Sequence, residues 1–409
     1  MTVMSPTSLL MIAIAAVTAL AALNPRVLRS KRWRATVTPL ASIIGSGFLV
    51  VVPILAHAAG NWAWLAMTAL CAAAYMFGAV VRHNIAVVEP LLENGAPRSL
   101  RLLEGFSNLA LTFAYFVSVA YYLNLFAAFG LRSFDITDPA WVRIASTGVI
   151  ALIGLVGIVR GLGGLEMLEE GAVGIKLGLI AGLLAAMALT SALALGSGTL
   201  SLPVLDHATG SREVAILLGL LILVQGFETS RYLGEAYDRK MRIETMRSAQ
   251  IISTVIYIAF VFLATPFFTA DAPASGGETA IIDLLAPLGM AVAPLIIMTA
   301  LASQLSAAVA DLNGAGGLIV SASAGRVAMA VGYALTAAAA IAITWIANIY
   351  EIIAYASKAF VLYYGLQSIV ALVTMSHSGG WRRALKSALF GFAVLVSIAV
   401  LIFGIPADA

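Results

Sequence analysis

Several ionisable side chains fall inside long apolar segments of the sequence, among them Lys176, Glu228, Arg231, Asp311 and Lys358. A charge inside a bilayer is costly, so each of these residues is a candidate for solute binding, proton transfer or gating. A buried carboxylate can bind an amine or carry a proton. A buried amine can release and take up a proton, because burial disfavours its charged form. Such side chains would let a protein handle a small charged solute in the middle of a membrane.

The composition of the chain indicates an integral membrane protein. Its 409 residues are 61% hydrophobic and 11% charged, whereas soluble globular proteins carry roughly 25% charged residues. Repeated apolar segments of about 20 residues exclude a soluble α/β enzyme. The net charge of +3 is too small to indicate nucleic-acid binding. The sequence shows no phosphate loop, nucleophile–base pair or metal-ligand spacing, so we expect neither an enzyme nor a cofactor or metal site.

Hydropathy predicts twelve transmembrane helices. They lie near residues 7–23, 37–59, 61–81, 104–130, 139–159, 164–194, 213–234, 247–269, 284–311, 327–346, 349–374 and 385–404. The first is not a cleavable signal peptide, because its positive charges follow the apolar core. With twelve spans, most Lys and Arg residues in short loops fall on one side, which the positive-inside rule assigns to the cytoplasm. We therefore expect a cytoplasmic-membrane protein with both termini outside.

Two of these spans carry residues that weaken a helix at its centre. Residues 41–50 read ASIIGSGFLV, and residues 224–238 read VQGFETSRYLGEAYD. Unpaired backbone groups inside a membrane must be satisfied by protein, water or a ligand. Free amides would suit a carboxylate, and free carbonyls would suit a cation or an ammonium group. For the first segment, close helix packing through small residues is an equally good explanation.

The two interrupted spans are five spans apart and run in opposite directions, which is typical of an inverted repeat in a transporter. We expect a first five-helix unit at 31–195 and a second at 207–375. Residues 1–30 and 376–409 would then each supply one peripheral helix.

Three stretches resemble the amino acid–polyamine–organocation (APC) superfamily of permeases. LASIIGSGFLVV is similar to the signature of their first core helix, GFETSRYLGEAYD to their sixth, and ALASQLSAAVADLNGAGG to their eighth. The resemblance implies an all-α membrane protein with the LeuT-type fold. That fold is a 5+5 inverted repeat, here with one extra helix at each end, and it holds substrate between broken helices one and six.

The resemblance also implies which residues bind the solute. They are Ile44, Gly45, Ser46, Gly47, Tyr115, Tyr122, Gln225, Gly226, Phe227 and Glu228. For Glu228 the roles stay open: it binds a substrate amine, pairs with a lysine, carries a coupled proton, or only closes the helix break.

Lys176 lies about 13 residues into the fifth core helix, about 20 Å deep and near the midplane. Some APC permeases resemble this chain in placing a lysine where sodium-coupled relatives bind a structural sodium ion. The ammonium group then replaces that ion. The expected neighbours are the carbonyls around Ile43 and Ile44 and the hydroxyls of Ser303 and Ser306. The alternative is a lysine that extends to the membrane interface.

Four charged residues are candidates for gates. Lys358 and Glu351 share a face of the tenth core helix, and Lys358 could pair with Glu228 or Glu351 or contact substrate at an outer gate. A simple structural ion pair is the alternative. Arg231 and Asp311 lie towards the cytoplasmic ends of their helices. An inner-gate salt bridge between them is possible, but we favour solvated helix ends.

The sequence therefore predicts a secondary active transporter that moves a small organic solute by alternating access, with an amino acid as the preferred candidate. Coupling would be to protons or by exchange, and independent of sodium because Lys176 occupies the cation position. The expected partners are the small-molecule substrate, protons and the lipid bilayer, with no nucleic acid, and the oligomeric state stays open. The alternatives are a permease of the same fold for a polyamine, nucleobase or inorganic cation, and a membrane sensor or scaffold that transports nothing.

Overall fold

The computed structural model describes residues 6–161, 163–200, 210–234, 236–268, 277–323, 325–375 and 380–407. For Ser46 and residues 163–172 it describes the backbone alone. The described elements are all helical. The α-helices are α1 (Pro6–Ala22), α2 (Pro25–Leu28), α3 (Lys31–Ser46), α4 (Val51–Ala59), α5 (Ala63–Glu93), α6 (Arg98–Arg132), α7 (Pro139–Arg160), α8 (Gly163–Gly196), α9 (Ser211–Gly219), α10 (Arg239–Ala264), α11 (Ile281–Leu284), α12 (Val292–Ala322), α13 (Met329–Ile346), α14 (Ile349–Val373) and α15 (Trp381–Phe403).

Nine helical stretches in the described residues are long and apolar enough to cross a membrane. The two helices predicted to be interrupted are not counted as single spans, because each is divided into shorter pieces. Helix α1 is apolar but has only 17 residues. The prediction of an all-helical, multi-pass membrane protein is confirmed, whereas the count of twelve spans and the division at 31–195 and 207–375 stay predictions.

The first predicted interruption is confirmed. Helix α3 ends at Ser46 and α4 begins at Val51, so Gly47–Val50 separate two helices within one predicted span. No side chain caps the N-terminus of α4. The Val51 amide donates to the Gly47 carbonyl at 2.8 Å, and Pro53 has no N–H. The positive end of the α4 dipole faces the interruption.

The second interruption is confirmed as well, and it has a different form. Helix α9 ends at Gly219, a 3₁₀ turn covers Leu221–Val224, and a 3₁₀ helix covers Phe227–Leu233. Gly226 joins the two 3₁₀ pieces with a φ of 116°. A side chain at that φ would be strained, so glycine is required at this point.

The predicted span at 284–311 is misplaced. The helix α12 covers Val292–Ala322, because Gly289 with a φ of 124° ends the preceding turn. The glycine-rich stretch after residue 311 lies inside this helix. Gly314 and Gly316 allow close packing: a Cβ at Gly314 would lie 2.8 Å from Tyr115, and a Cβ at Gly316 would lie 2.8 Å from Met329.

The terminal helices pack against the outside of the bundle. A Cβ at Gly178 of α8 would lie 2.5 Å from the Ala15 carbonyl oxygen of α1, so these two helices are in backbone contact. On the other side, a Cβ at Gly365 of α14 would lie 3.0 Å from Ser397 of α15. Small residues permit this close approach in a membrane, where dispersion contacts replace the hydrophobic effect between helices.

Candidate functional site

The two interrupted helices touch each other at their breaks. A Cβ at Gly226 would lie 2.5 Å from the Ser42 hydroxyl and 2.7 Å from the Ile43 amide nitrogen. A Cβ at Gly47 would lie 2.5 Å from Leu223 Cβ. The backbone of each helix therefore packs directly on the other, and a larger side chain at either glycine would separate them.

Tyr257 of α10 supports both breaks with one hydroxyl. Its single O–H proton is shared between two acceptors, the Ile43 carbonyl oxygen at 2.9 Å and the Leu223 carbonyl oxygen at 2.6 Å. The side chain is fully buried. Carbonyl groups released where a helix stops must be satisfied by protein in a membrane, and this hydroxyl serves one carbonyl from each interrupted helix.

Ser357 of α14 supports the start of the second break. The amide of Ile222 donates to Ser357 Oγ at 2.9 Å, and Ser357 Oγ donates to the Gly219 carbonyl at 2.6 Å. One small side chain thus satisfies a donor and an acceptor that leave the α-helical pattern when α9 ends.

Glu228 closes the second break from within its own helix. Its Oε2 atom accepts from the Gly226 amide at 3.0 Å and from the Tyr364 hydroxyl at 2.7 Å. The side chain is fully buried. Its second oxygen, Oε1, has no hydrogen-bond partner in the described part of the chain. One carboxylate oxygen is therefore used to hold the fold, and the other is available to a ligand.

An aromatic wall lies beside this carboxylate. The ring of Tyr364 stacks on Phe77 at 5.1 Å and on Phe227 at 5.0 Å between centroids, with interplanar angles of 23° and 19°. These stacked rings fix the orientation of the hydroxyl that donates to Glu228.

The third core helix, α6, reaches the same site through Tyr122. Gln225 Nε2 donates to the Tyr122 hydroxyl at 3.0 Å, whereas Gln225 Oε1 has no partner among the described residues. Tyr115, predicted beside it, instead packs on Gly314 of α12 and edge-on against Phe360 at 5.8 Å. The structure thus brings Tyr122 to the break, and Tyr115 packs on Phe360, whose ring also lies 6.5 Å from that of Tyr364.

The glycines of the first break serve packing as well as interruption. A Cβ at Gly45 would lie 2.6 Å from Ala307 Cβ of α12, and Gly47 meets the second break as described above. Both explanations offered for this segment therefore apply. Ile44 is fully buried, while the side chain of Ser46 lies outside the described residues.

Lys176 contacts the first interrupted helix one turn before it ends. Its Nζ atom donates to the Ala41 carbonyl oxygen at 3.0 Å, and the residue is 1% exposed. The expected contact with this helix is present, but at a carbonyl slightly earlier than Ile43. Ser303 and Ser306 are buried on α12, and the carbonyl oxygen of Ser303 is 3.4 Å from a Cβ placed on Gly45.

The interpretation of Arg231 as a solvated helix end is wrong. The residue is 8% exposed, its Nη2 atom is 2.8 Å from Glu104 Oε1, and its Nε atom is 3.9 Å from Glu89 Oε1. It also donates to Gln367 Oε1. Two carboxylates and an amide from three helices enclose it, because the 3₁₀ segment directs the side chain into the bundle instead of out of its end.

The interpretation of Asp311 as a solvated helix end is also wrong. Helix α12 continues past it, and its side chain is fully buried and accepts a hydrogen bond from Ser118 of α6. Arg231 pairs with other carboxylates, so the possible inner-gate salt bridge between Arg231 and Asp311 is not formed.

The ion pairs predicted for Lys358 are not formed among the described residues either. Neither Glu228 nor Glu351 makes an ion pair with it within the described residues. Glu351 instead caps α14, where its carboxylate accepts from the Asn348 amide at 2.8 Å. Lys358 is half-buried on a face of α14 that also carries Tyr355 and Leu362, which are 48% and 42% exposed. That face points away from the two breaks.

The site lies between a cavity on each side. One, of about 560 Å³, is lined by polar residues that include Asn124, Glu278 and Glu351. The other, of about 470 Å³, is lined by Arg231 and Glu89. Between the second cavity and the site is a layer of ion pairs, which we call the basic-side network: Glu89 with Arg231, Arg239 and Arg242, and Glu104 with Arg231.

Sequence reasoning missed three residues that hold the site together, namely Tyr257, Ser357 and Tyr364. Each is a neutral polar residue in an apolar span, outside the three stretches that resemble the family, whereas candidates were selected by charge or by that resemblance. The tyrosines at 363–364 form an adjacent pair, as those at 121–122 do. A search for buried hydroxyls on the helices opposite each break would have found all three.

Comparisons with known proteins agree with this architecture. A family model described as an APC superfamily transporter matches residues 25–404. A protein of Aquifex aeolicus (strain VF5), described as uncharacterized, is 39% identical over 386 residues and covers 93% of both chains.

A solved Na⁺-coupled sialic acid symporter, in a substrate-bound outward-open state, has a similar structure. The match has a TM-score of 0.56, covers 98% of this chain and 96% of the symporter, and has 13% sequence identity. At that identity the likeness establishes the fold alone.

Proposed function

This chain belongs to the APC superfamily of transporters, and we propose that it moves an amino acid across the cytoplasmic membrane without sodium. The coupling would be to protons or by exchange. The observation that carries this proposal is the contact of Lys176 Nζ with the Ala41 carbonyl at 3.0 Å, beside the first break.

A buried lysine at this point would compete with a metal cation. Two unit positive charges about 4 Å apart repel by about 4 kcal/mol at an effective dielectric constant of 20. A sodium ion bound to the same group of carbonyls would meet that repulsion whenever the amine is charged. The amine can itself gain and lose a proton, so it could carry the coupled charge in place of sodium.

The similar sialic acid symporter is Na⁺-coupled, so shared fold does not decide the coupling ion. What supports a different ion in this chain is the position of its own lysine ammonium. A transporter with a cation of its own at this position has no need of a bound metal there.

An amino acid fits the polar groups at the two breaks. The N-terminus of α4 points the positive end of its helix dipole at the first break, which favours a carboxylate there, although the Val51 amide itself donates to the Gly47 carbonyl at 2.8 Å. Across the contact between the helices, Glu228 Oε1 and Gln225 Oε1 are buried oxygens without partners in the described residues. Such acceptors are costly to bury unless they meet a donor. A substrate ammonium group would supply that donor.

The surrounding cavities support transport by alternating access. A polar cavity of about 560 Å³ lies on one side of the breaks. The basic-side network separates the breaks from the other cavity, and Arg231 belongs to the same interrupted helix as the proposed substrate contacts. Movement of the 3₁₀ segment Phe227–Leu233 would therefore break ion pairs of the basic-side network and shift the proposed substrate contacts at the same time.

The proposal is tested by uptake into proteoliposomes with an imposed pH gradient and no sodium. Lys176→Ala should reduce proton-driven uptake to background, because the exchangeable charge is lost. Lys358→Ala is the matched control, since it removes another membrane lysine that faces away from the breaks, and it should retain uptake. Normal pH-dependent uptake by Lys176→Ala, or uptake that requires sodium, would contradict the proposed coupling.

A panel of radiolabelled solutes tests the substrate class separately. Amino acids should be taken up, and polyamines, nucleobases and inorganic cations should not. Uptake of one of these other solutes alone would identify a permease of the same fold with a different substrate. Binding without movement under any gradient would identify a sensor or scaffold.

A further inference from the structure

Arg82 is a buried arginine in the membrane-spanning part of α5 that the transport site does not use. It is 6% exposed. It makes no ion pair with any carboxylate among the residues that the structure describes. Its partners are neutral: it donates to Gln250 Oε1 of α10 and, at 3.4 Å, to the Tyr75 carbonyl. These bonds use two of the five N–H donors of a guanidinium group.

The position of this arginine is built into the contact between α5 and α10. Gln250 Nε2 donates to the Ala74 carbonyl at 2.9 Å, which turns its oxygen towards Arg82. A Cβ at Gly78 would lie 2.2 Å from the Gln250 amide oxygen, so glycine is needed to admit that side chain. The guanidinium carbon lies 4.7 Å from the centroid of the Tyr75 ring, as in a cation–π contact.

A second positive charge lies beside the first. Arg247 of α10 is exposed and lies three residues before Gln250. Residues three apart in a helix share a face, and Gln250 contacts Arg82, so Arg247 faces the same side of the helix pair. Tyr75 is 39% exposed on the same side of the helix pair. Two arginines and an aromatic ring therefore lie along the seam between α5 and α10, and within the described residues neither arginine forms an ion pair with a carboxylate.

The depth of Arg82 in the membrane matches that of a lipid headgroup. The exposed Trp62 precedes α5, where an aromatic residue at a membrane interface is expected. Arg82 follows it by about 20 residues, which is about 30 Å of helix and the thickness of the hydrocarbon core. The guanidinium thus lies at the opposite interface, on the basic side of the protein.

We propose that Arg82 and Arg247 form a binding site for the phosphate group of an anionic phospholipid, at the seam between α5 and α10. A phosphate oxygen accepts from the unused Arg82 donors and from Arg247, and the acyl chain lies along Tyr75. Arginine suits this role because its planar fork matches phosphate geometry. Basic pockets between transmembrane helices on the cytoplasmic side are known to bind such headgroups.

The test uses the full chain purified in detergent, with lipid binding measured by native mass spectrometry. Phosphatidylglycerol should bind more tightly than phosphatidylcholine. Arg247→Gln should weaken phosphatidylglycerol binding about fivefold, the factor expected for one arginine near a lipid surface. The matched control, Arg101→Gln, removes an exposed arginine at the start of α6 on the same side of the protein and should leave binding unchanged.

Arg82→Gln should weaken binding further, and Arg82→Lys should recover part of the loss because it keeps the charge without the fork. If Arg82→Gln does not fold, Arg247→Gln and Arg82→Lys decide the matter. Equal binding of both lipids, or equal affinity in Arg247→Gln and Arg101→Gln, would overturn the site. Inorganic phosphate that displaces the lipid at equal concentration would overturn the assignment to a lipid and identify a site for soluble phosphate.

Discussion

The two interrupted helices differ in where their support comes from. The first break, at Gly47–Val50, has a carbonyl held by Tyr257 of α10, and Lys176 of α8 contacts the helix just before it. The second break is held in part from within, by a carboxylate two residues after Gly226. The first interruption thus depends on its neighbours, whereas the geometry of the second depends on a group that could also bind solute.

This difference suggests that the two interrupted helices have different roles in transport. A break supported by surrounding helices keeps its shape as long as those helices stay packed. A break closed by its own carboxylate responds to whatever engages that carboxylate, and Arg231 of the basic-side network follows in the same 3₁₀ segment. We infer that the second helix is the one that senses substrate and the first is the one that provides a fixed surface.

The largest effect should come from Gly226→Ala. The φ of 116° strains any side chain, and the new Cβ would meet Ser42 and Ile43 of the first helix. Strain of this kind costs about 1–3 kcal/mol, and the overlap adds to it. We expect the variant to unfold at a much lower denaturant concentration than the wild type.

Gly105→Ala is the matched control for this prediction. Gly105 lies in helix α6 with no atom within 4 Å of a Cβ placed there, so alanine should be neutral or stabilising by up to about 1 kcal/mol. Equal stability of the two variants would show that the two breaks are not tightly packed on each other. The comparison between the two interrupted helices would then be contradicted.

Glu228→Gln should have the next largest effect, and it should act on transport more than on folding. The amide oxygen can still accept from Gly226 and Tyr364, so the break should stay closed. The charge that would bind a substrate ammonium group is lost, and hydrogen bonds to charged groups contribute about 1.5–3 kcal/mol. We expect uptake to fall by about 10- to 100-fold, with little change in thermal stability.

Tyr364→Phe separates the two roles of this carboxylate. It removes the donor to Oε2 and leaves the proposed substrate contact at Oε1 in place, so stability should fall more than uptake. If Glu228→Gln transports normally while Tyr364→Phe is destabilised, Glu228 only closes the helix, and the second break senses nothing.

The sequence was sufficient to predict the interruptions and the fold, for a clear physical reason. Glycine beside polar residues weakens an apolar span at its centre, and two such segments five spans apart and opposite in direction indicated a paired interruption; both segments proved to be interrupted. The end predicted at residue 311 for the span 284–311 was wrong, because the glycines that follow it permit close packing within the helix. Their local sequence does not distinguish a helix end from the contact that Gly314 makes with Tyr115 on α6, far away in the chain.

Partners of the buried charges could not be predicted for a related reason. Arg231 meets Glu104 and Gln367, which come from α6 and α14 and are separated from it by more than 100 residues of chain. Hydropathy gives the depth of a residue in the membrane, but the direction of its side chain depends on the local helix type. The 3₁₀ geometry of Phe227–Leu233 turned Arg231 inwards, and no residue pattern had indicated that geometry.

The smallest effect should come from Tyr257→Phe, and it bears most directly on whether the two breaks act separately. The ring would keep its edge-on packing against Phe48, 5.8 Å away, and only the shared hydroxyl would be lost. We expect a loss of about 1 kcal/mol in the free energy of unfolding. Tyr355→Phe, which removes the hydroxyl of a tyrosine that is 48% exposed, is the control and should cost little.

Combining Tyr257→Phe with Tyr364→Phe then measures the coupling between the breaks. The first change removes the support that they share, and the second loosens only the break that Glu228 closes. The changes in the free energy of unfolding that substitutions cause at independent sites add to within about 0.5 kcal/mol. A larger interaction energy would mean that the first helix yields when the second is loosened, so that both would move during transport. Additivity would instead leave the first helix as the fixed surface against which the second one moves.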